Sequence, residues 1–147
     1  MGRKHSVSRV YPVNARVLWH DILDPNALAA SMQGSLTYVG LPKEPVVEGQ
    51  RITVTIRRWG WFPMGTWNMH VTRRDDQNLI LESEEHGNLV RCYRHRLEVI
   101  PMGETEARYT DYLDLDAGIF TDALFPMFST MYEQRHEQRL KRLRASA

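Results

Sequence analysis

Residues 118–145 read GIFTDALFPMFSTMYEQRHEQRLKRLRA, and the spacing within this stretch decides what the rest of the chain must supply. Phe120, Leu124, Met127, Phe128, Met131 and Tyr132 recur at steps of three and four, and Leu140 and Leu143 resume the pattern. That period predicts one long amphipathic helix over 118–145, with an apolar face too wide for a free surface helix. Ser129, Glu133, Gln134, Glu137, Gln138 and Lys141 fall between those positions as the solvated stripe. Pro126 removes one backbone hydrogen bond, so either a short turn ends there and the main helix starts at Pro126, or the helix kinks. Arg135, Arg139, Lys141, Arg142 and Arg144 crowd the C-terminal end, where the helix dipole favours cations.

Such a helix needs a large apolar partner, and the preceding residues provide it as a run of strands. Residues 5–11 alternate as a strand ended by Pro12. Asn14 then caps a short helix whose apolar face is Val17, Leu18, Ile22 and Leu23, closed at Asp24-Pro25. A second short helix, 26–32, ends at Gly34, and the pair closes one end of a sheet. Strands follow over 36–39, 51–59 and 66–74, with Ile52, Val54 and Ile56 on one face and Trp67, Met69 and Val71 carrying the same face onward. After the turn at 75–78, Leu79 and Leu81 continue it, and 87–88 turns the chain again. The two longest strands, 89–100 and 105–116, place Arg94, Arg96, Glu98, Arg108 and Thr110 outward. By parity, Arg91, Tyr93, His95, Leu97, Val99, Tyr109, Asp111, Leu113 and Leu115 point inward.

The expected architecture is therefore α+β: a curved antiparallel sheet of six to seven strands wrapped around the long C-terminal helix, with two short helices after the first strand. Where the sheet stands off from that helix it leaves a pocket. At 147 residues the chain fits one domain, residues 1–147. A formal net charge of +1 with 25% charged residues implies neither nucleic acid nor a membrane surface as partner. The single cysteine, Cys92, excludes an internal disulfide and fits a reducing cytoplasm, and the absence of a long apolar run argues against integral membrane association.

The order of elements resembles the START-like helix-grip superfamily, also called SRPBCC, and the sequence is similar to its bacterial polyketide cyclase/dehydrase-like members. The likeness rests on Ser8-Arg9-Val10-Tyr11-Pro12 running into Val17-Leu18-Trp19, then Tyr93-Arg94-His95-Arg96-Leu97, Tyr109-Thr110-Asp111 ahead of Asp116-Ala117-Gly118, and Tyr132 to His136. These are structural positions rather than a catalytic signature. The glycine-rich loop of the plant-allergen branch is replaced here by Leu41-Pro42-Lys43-Glu44-Pro45, so ligands associated with that loop do not carry over.

Polar residues on the inward face are the candidate chemistry. Parity places Arg58, Ser83, Arg91, His95 and Asp111 among Leu, Val, Trp and Met, where each must find a partner. With His95 and Asp111 on neighbouring strands, the carboxylate would orient the imidazole and raise its basicity. The plainer alternative is a satisfied core pair that pins the sheet register. The aromatic stretch 59–67, rich in Trp59, Trp61, Phe62 and Trp67, falls at a strand connection and is either a pocket rim or a partner surface. His70, His86, His95 and His136 show no metal-ligand spacing, Cys92 falls on the outward parity, and no nucleotide-binding or nucleophile-elbow motif is present. No cofactor or metal is expected.

The leading reading is a module that binds a small hydrophobic molecule, lipid, aromatic or polyketide-like. Its expected lining is Ile56, Arg58, Trp67, Met69, Leu81, Tyr93, His95, Tyr109, Asp111, Phe128, Met131 and Tyr132. The rival is a cyclase- or aromatase-like enzyme with His95 as base, Asp111 as its orienter and Arg91 or Arg58 stabilising an enolate. A protein-interaction role through the aromatic connection is the third reading.

Overall fold

Strands that alternate apolar and polar residues bury one face only, and in the computed structural model, which describes residues 2–32 and 36–146, seven of them form one sheet that does so. The chain runs β1 (Arg3–Tyr11), α1 (Ala15–Leu23), α2 (Pro25–Ser31), β2 (Leu36–Val39), β3 (Arg51–Arg58), β4 (Phe62–Asp75), β5 (Ile80–Gly87), β6 (Cys92–Pro101) and β7 (Ala107–Asp116). A 3-10 turn at Gly118–Phe120 then leads into α3 (Thr121–Ala145). The strand order is β1-β7-β6-β5-β4-β3-β2, antiparallel throughout, so β2 to β7 form a meander and β1 returns to pair with β7. This is the α+β arrangement expected from the sequence.

The caps explain where the short helices begin. Asn14 accepts a hydrogen bond from the Arg16 backbone N–H, and Asp24 does the same for Asn26 at the start of α2, with Pro25 in the first turn where its missing N–H costs nothing. The predicted end of α2 at Gly34 lies outside the described residues. Helix α1 is fastened to the β4–β5 turn by the Trp19 indole N–H, which donates to Asp76 at 2.9 Å, and by Arg16, which donates to the Asp76 carbonyl.

The long helix is 25 residues and continues through Pro126. Its first predicted turn, from Gly118, is the separate 3-10 element. Of the predicted apolar face, Phe128, Tyr132, Leu140 and Leu143 are buried, but Phe120 and Met127 are 47% and 50% exposed. Between Tyr132 and Leu140 the buried positions are Arg135, His136 and Arg139. The basic C-terminal cluster is thus divided. Arg139 and Arg142 reach Asp21 of α1, Arg142 with both oxygens at 2.8 Å, while Lys141 and Arg144 are solvated. Likewise Val17 is exposed where Trp19 is buried.

Helix α3 lies along β1, β7 and α2. Apolar packing therefore falls into two groups. One joins α1 to the C-terminal part of α3 through Leu18, Trp19, Leu23, Val99, Leu140 and Leu143; the other joins Tyr93, Leu113, Leu115, Phe128 and Tyr132. The half of the sheet formed by β2 to β5 is not filled by the helix, and register shifts at Ile56/Arg57 and Val71/Arg73 mark irregularities that bend its strands.

The register of α3 is testable by a pair of truncations. Leu140→Ala is expected to lower unfolding free energy by about 2 to 5 kcal/mol. Met127→Ala is expected to change it by less than about 0.5 kcal/mol. Both follow from urea denaturation, and equal effects would place the helix in a different rotation.

Candidate functional site

A buried carboxylate survives in a protein interior only when its oxygens are taken up, and Asp111 on β7, with no exposed surface, meets that need twice over. His95 on β6 donates from Nε2 to Oδ1 at 2.5 Å, and His136 on α3 donates from Nε2 to Oδ2 at 2.6 Å. The Tyr109 hydroxyl adds a third bond to Oδ1 at 3.1 Å. Burial by itself would push the Asp111 pKa up; the His95 charge and the bonds from both imidazoles reverse this and hold it well below the usual carboxylate range.

The network extends in both directions. His136 Nδ1 lies 2.8 Å from the Tyr11 hydroxyl of β1, which also has the His136 carbonyl at 3.3 Å. The geometry serves either state of the ring: neutral, Nδ1 accepts the Tyr11 proton; charged, Nδ1–H donates and the tyrosine proton turns to the carbonyl. Burial keeps the Tyr11 and Tyr109 hydroxyls protonated, with pKa values above the usual tyrosine range. On the other side, His95 Nδ1 faces Glu85 of β5 at 4.0 Å. Glu85 is 5% exposed and accepts from the Trp67 indole at 2.6 Å and from Ser83 at 2.7 Å. A polar line thus crosses β4, β5, β6, β7, α3 and β1.

This line borders a cavity of about 940 Å³ between the β2–β5 half of the sheet and α3. Ile56, Met69 and Leu81 form its sheet wall; Phe128, Met131 and Tyr132 face it from α3; Trp67, Tyr93, His95 and Tyr109 complete the side toward the polar line. Trp67 is held in place by Gly87, its partner across β4 and β5, where a Cβ would come within 2.5 Å of the indole. The rings of Tyr93 and Phe128, 5.3 Å apart, with Trp67 5.9 Å from each, make an aromatic corner. Arg58 borders the cavity from an exposed position, over the Trp59 ring at 4.8 Å. Met64, Leu89 and Met127 are both exposed and cavity-lining, so the mouth lies between the β3–β4 hairpin, the β5–β6 turn and the start of α3.

Two expected site residues are placed differently. Asp111 lies behind the lining, reached through His95 and Tyr109. Arg91 is exposed, its guanidinium against Gly118, because β6 begins only at Cys92 and strand parity does not extend into the bend before it. Thr110, expected to be solvated, is buried and hydrogen-bonded to Ser8 across β1 and β7 at 2.9 Å. Glu85, Arg135 and His136 are among the polar cavity and network residues that the sequence-based lining does not include. Glu85 follows Ser83 by one strand period, and Arg135 and His136 lie on the helix face that runs from Phe128 to Leu143.

The sequence matches no protein-family model and no curated protein. Solved structures are similar in fold. Norcoclaurine synthase from Thalictrum flavum, in complex with dopamine and hydroxybenzaldehyde, superimposes with a TM-score of 0.74 at 11% identity, covering 99% of this chain and 88% of that one. The Zhui aromatase/cyclase from Streptomyces sp. R1128 gives 0.69 at 12%, covering 97% and 92%. Ara h 8.0201 gives 0.76 at 7%, covering 99% of each chain. The START-like helix grip that the sequence resemblance implied is the fold that this chain adopts.

Replacing Asp111 by Asn puts an amide N–H opposite one imidazole N–H, and is expected to cost about 2 to 5 kcal/mol. The sign of the pH dependence follows from the lowered pKa. The carboxylate's contribution is complete above about pH 4, the unfolded value, and is lost as pH falls toward the folded one. Urea titrations at pH 7 and below pH 4 should therefore show the gap between wild type and Asp111→Asn shrinking with acid; a constant gap would remove Asp111 ionisation from the stability of the fold.

Proposed function

We propose that the protein binds a small, largely apolar molecule in the cavity between β2–β5 and α3, with its polar end toward Glu85, His95 and Arg135. The observation that carries this reading is the cavity itself. Its volume lies within the range of roughly 300–1,000 Å³ common to small-molecule sites, its walls are mainly apolar, and a few polar groups converge at one side. That the side chains expected from the sequence, apart from Asp111, border this space supports the reading. Fold neighbours that include a complex with two small aromatic molecules and an aromatase/cyclase support an aromatic, lipid-like or polyketide-like ligand. A cytoplasmic setting is consistent with the single cysteine.

A second reading, cyclase-like proton transfer, has one specific observation behind it. His95 is oriented through Nε2 by Asp111 while Nδ1 faces Glu85 beside the cavity, the placement a general base requires. Arg91 has no part in it, being outside the cavity.

A neutral fluorophore, N-phenyl-1-naphthylamine, should bind saturably in the micromolar range and change tryptophan emission. Trp67→Phe should remove most of the emission change while the probe's own signal remains. Linear, non-saturating uptake would sink the binding reading. Turnover of a linear poly-β-ketone by wild type, abolished in a folded His95→Gln variant that still takes up the probe, would make the enzyme reading the leading one.

A further inference from the structure

Charged groups around the cavity are almost all answered by the protein. Among the described residues, Arg139 pairs with Asp21 at 3.2 Å, Glu85 accepts from Trp67 and Ser83, and Arg58 is exposed to water. Arg135 is the exception. It is 9% exposed, lines the cavity from α3, and has no carboxylate within ion-pair distance among the described residues. Its Nε meets the Met32 sulfur at 3.4 Å, its Nη2 the Tyr38 hydroxyl at 3.5 Å, and its plane lies 4.3 Å from the centre of the Tyr132 ring. A thioether, a phenol at the limit of hydrogen-bond range and a π face supply no full negative charge, and among the described residues Nη1 makes no hydrogen bond, although a guanidinium offers five donors. Asp111 acts on Arg135 only through space and makes no ion pair with it, since His95, His136 and Tyr109 take up its oxygens.

A second polar group in the same wall is incompletely satisfied. Tyr93 is 1% exposed and borders the cavity, and its buried hydroxyl has only the neighbouring Tyr132 hydroxyl acting on it, without a hydrogen bond of full geometry. Its ring lies 6.2 Å from that of Tyr132, on which Arg135 stacks. A cation with no ion-pair partner among the described residues, beside a phenol held only by another phenol, calls for an acceptor that carries negative charge.

We infer that Arg135 anchors an acidic group of the ligand, so that the cavity takes an amphipathic monoanion: an apolar body with one carboxylate, held by the guanidinium fork and the Tyr93 hydroxyl. This rests on the cavity-binding reading above and narrows it. One buried guanidinium, with no second buried cation left unpaired in the lining among the described residues, matches a single charge, not a phosphate dianion. The planar fork matches a carboxylate in two parallel hydrogen bonds.

The test compares acid with ester. Wild-type protein is titrated calorimetrically at neutral pH with 2-naphthylacetic acid and dodecanoic acid, each beside its methyl ester. The acids should bind about tenfold or more tightly than the esters. Arg135→Met should bring acid affinity down to that of the ester while ester affinity holds within about twofold; Arg135→Lys, which keeps charge without the fork, should fall between. Equal binding of acid and ester by wild type, or an acid preference that persists in Arg135→Met, overturns the inference. If Arg135→Met does not fold, the wild-type comparison and Tyr93→Phe, expected to weaken acids but not esters, decide it. Failure of all four ligands while the neutral fluorophore still binds overturns the acid anchor alone; failure of the fluorophore as well overturns the cavity reading with it.

Discussion

The carboxylate of Asp111, buried without surface and held by one imidazole from the sheet and another from the helix, is the constraint on which the rest of the molecule depends. Apolar packing is tolerant of small rotations and slides, whereas a charge in the interior is stable only with its partners at hydrogen-bond distance. His136 therefore fixes both the rotation and the height of α3 over the sheet. With Tyr11 bonded behind it, the same contact ties the β1 edge to the helix. The two apolar groups, one around α1 and one around Phe128 and Tyr132, lie on either side of this junction.

That junction also explains why there is a cavity. Fixed over β1 and β7, α3 does not settle onto β3 and β4; Trp67 meets Phe128, while Ile56 and Met69 face space instead of the helix. Arg135, one residue before His136, is placed by the same rotation. Its position beside the cavity follows from the geometry that satisfies Asp111, while its own charge is left for something else to meet.

Much of the fold could be read from periodicity, and most errors share one cause. The alternation at Ile52, Val54 and Ile56 and the turn at 75–78 gave strands close to those observed, and β2 was read at its observed bounds. The inward set on β6 and β7 followed from parity as far as the strands extended; Arg91 failed because it precedes β6. In α3, the apolar period breaks after Tyr132, and Arg135, His136 and Arg139 look like a solvated stretch when polarity stands in for burial. Nothing local shows that they are buried, because their partners, Asp111, Tyr38 and Asp21, lie 25, 97 and 118 residues away in sequence. Exposure of Phe120 and Met127 is the complement of the same error: apolar residues near an opening need not be covered. The His95–Asp111 pair was legible because it joins adjacent strands; the second histidine was not.

The unfilled half of the sheet changes what mutation can do there. In a packed interior, trimming a side chain opens a void, and the void adds to the lost transfer energy. Along Ile56, Met69 and Leu81 the space already exists, so a smaller residue enlarges it and a larger one intrudes on it, neither breaking a filled contact with the helix. The shape of the recess can therefore drift while the junction at Asp111 stays fixed. One scaffold can in this way pass through a succession of differently shaped interiors without an unstable intermediate, which gives a physical reason why chains only 7–12% identical to this one share its backbone so closely.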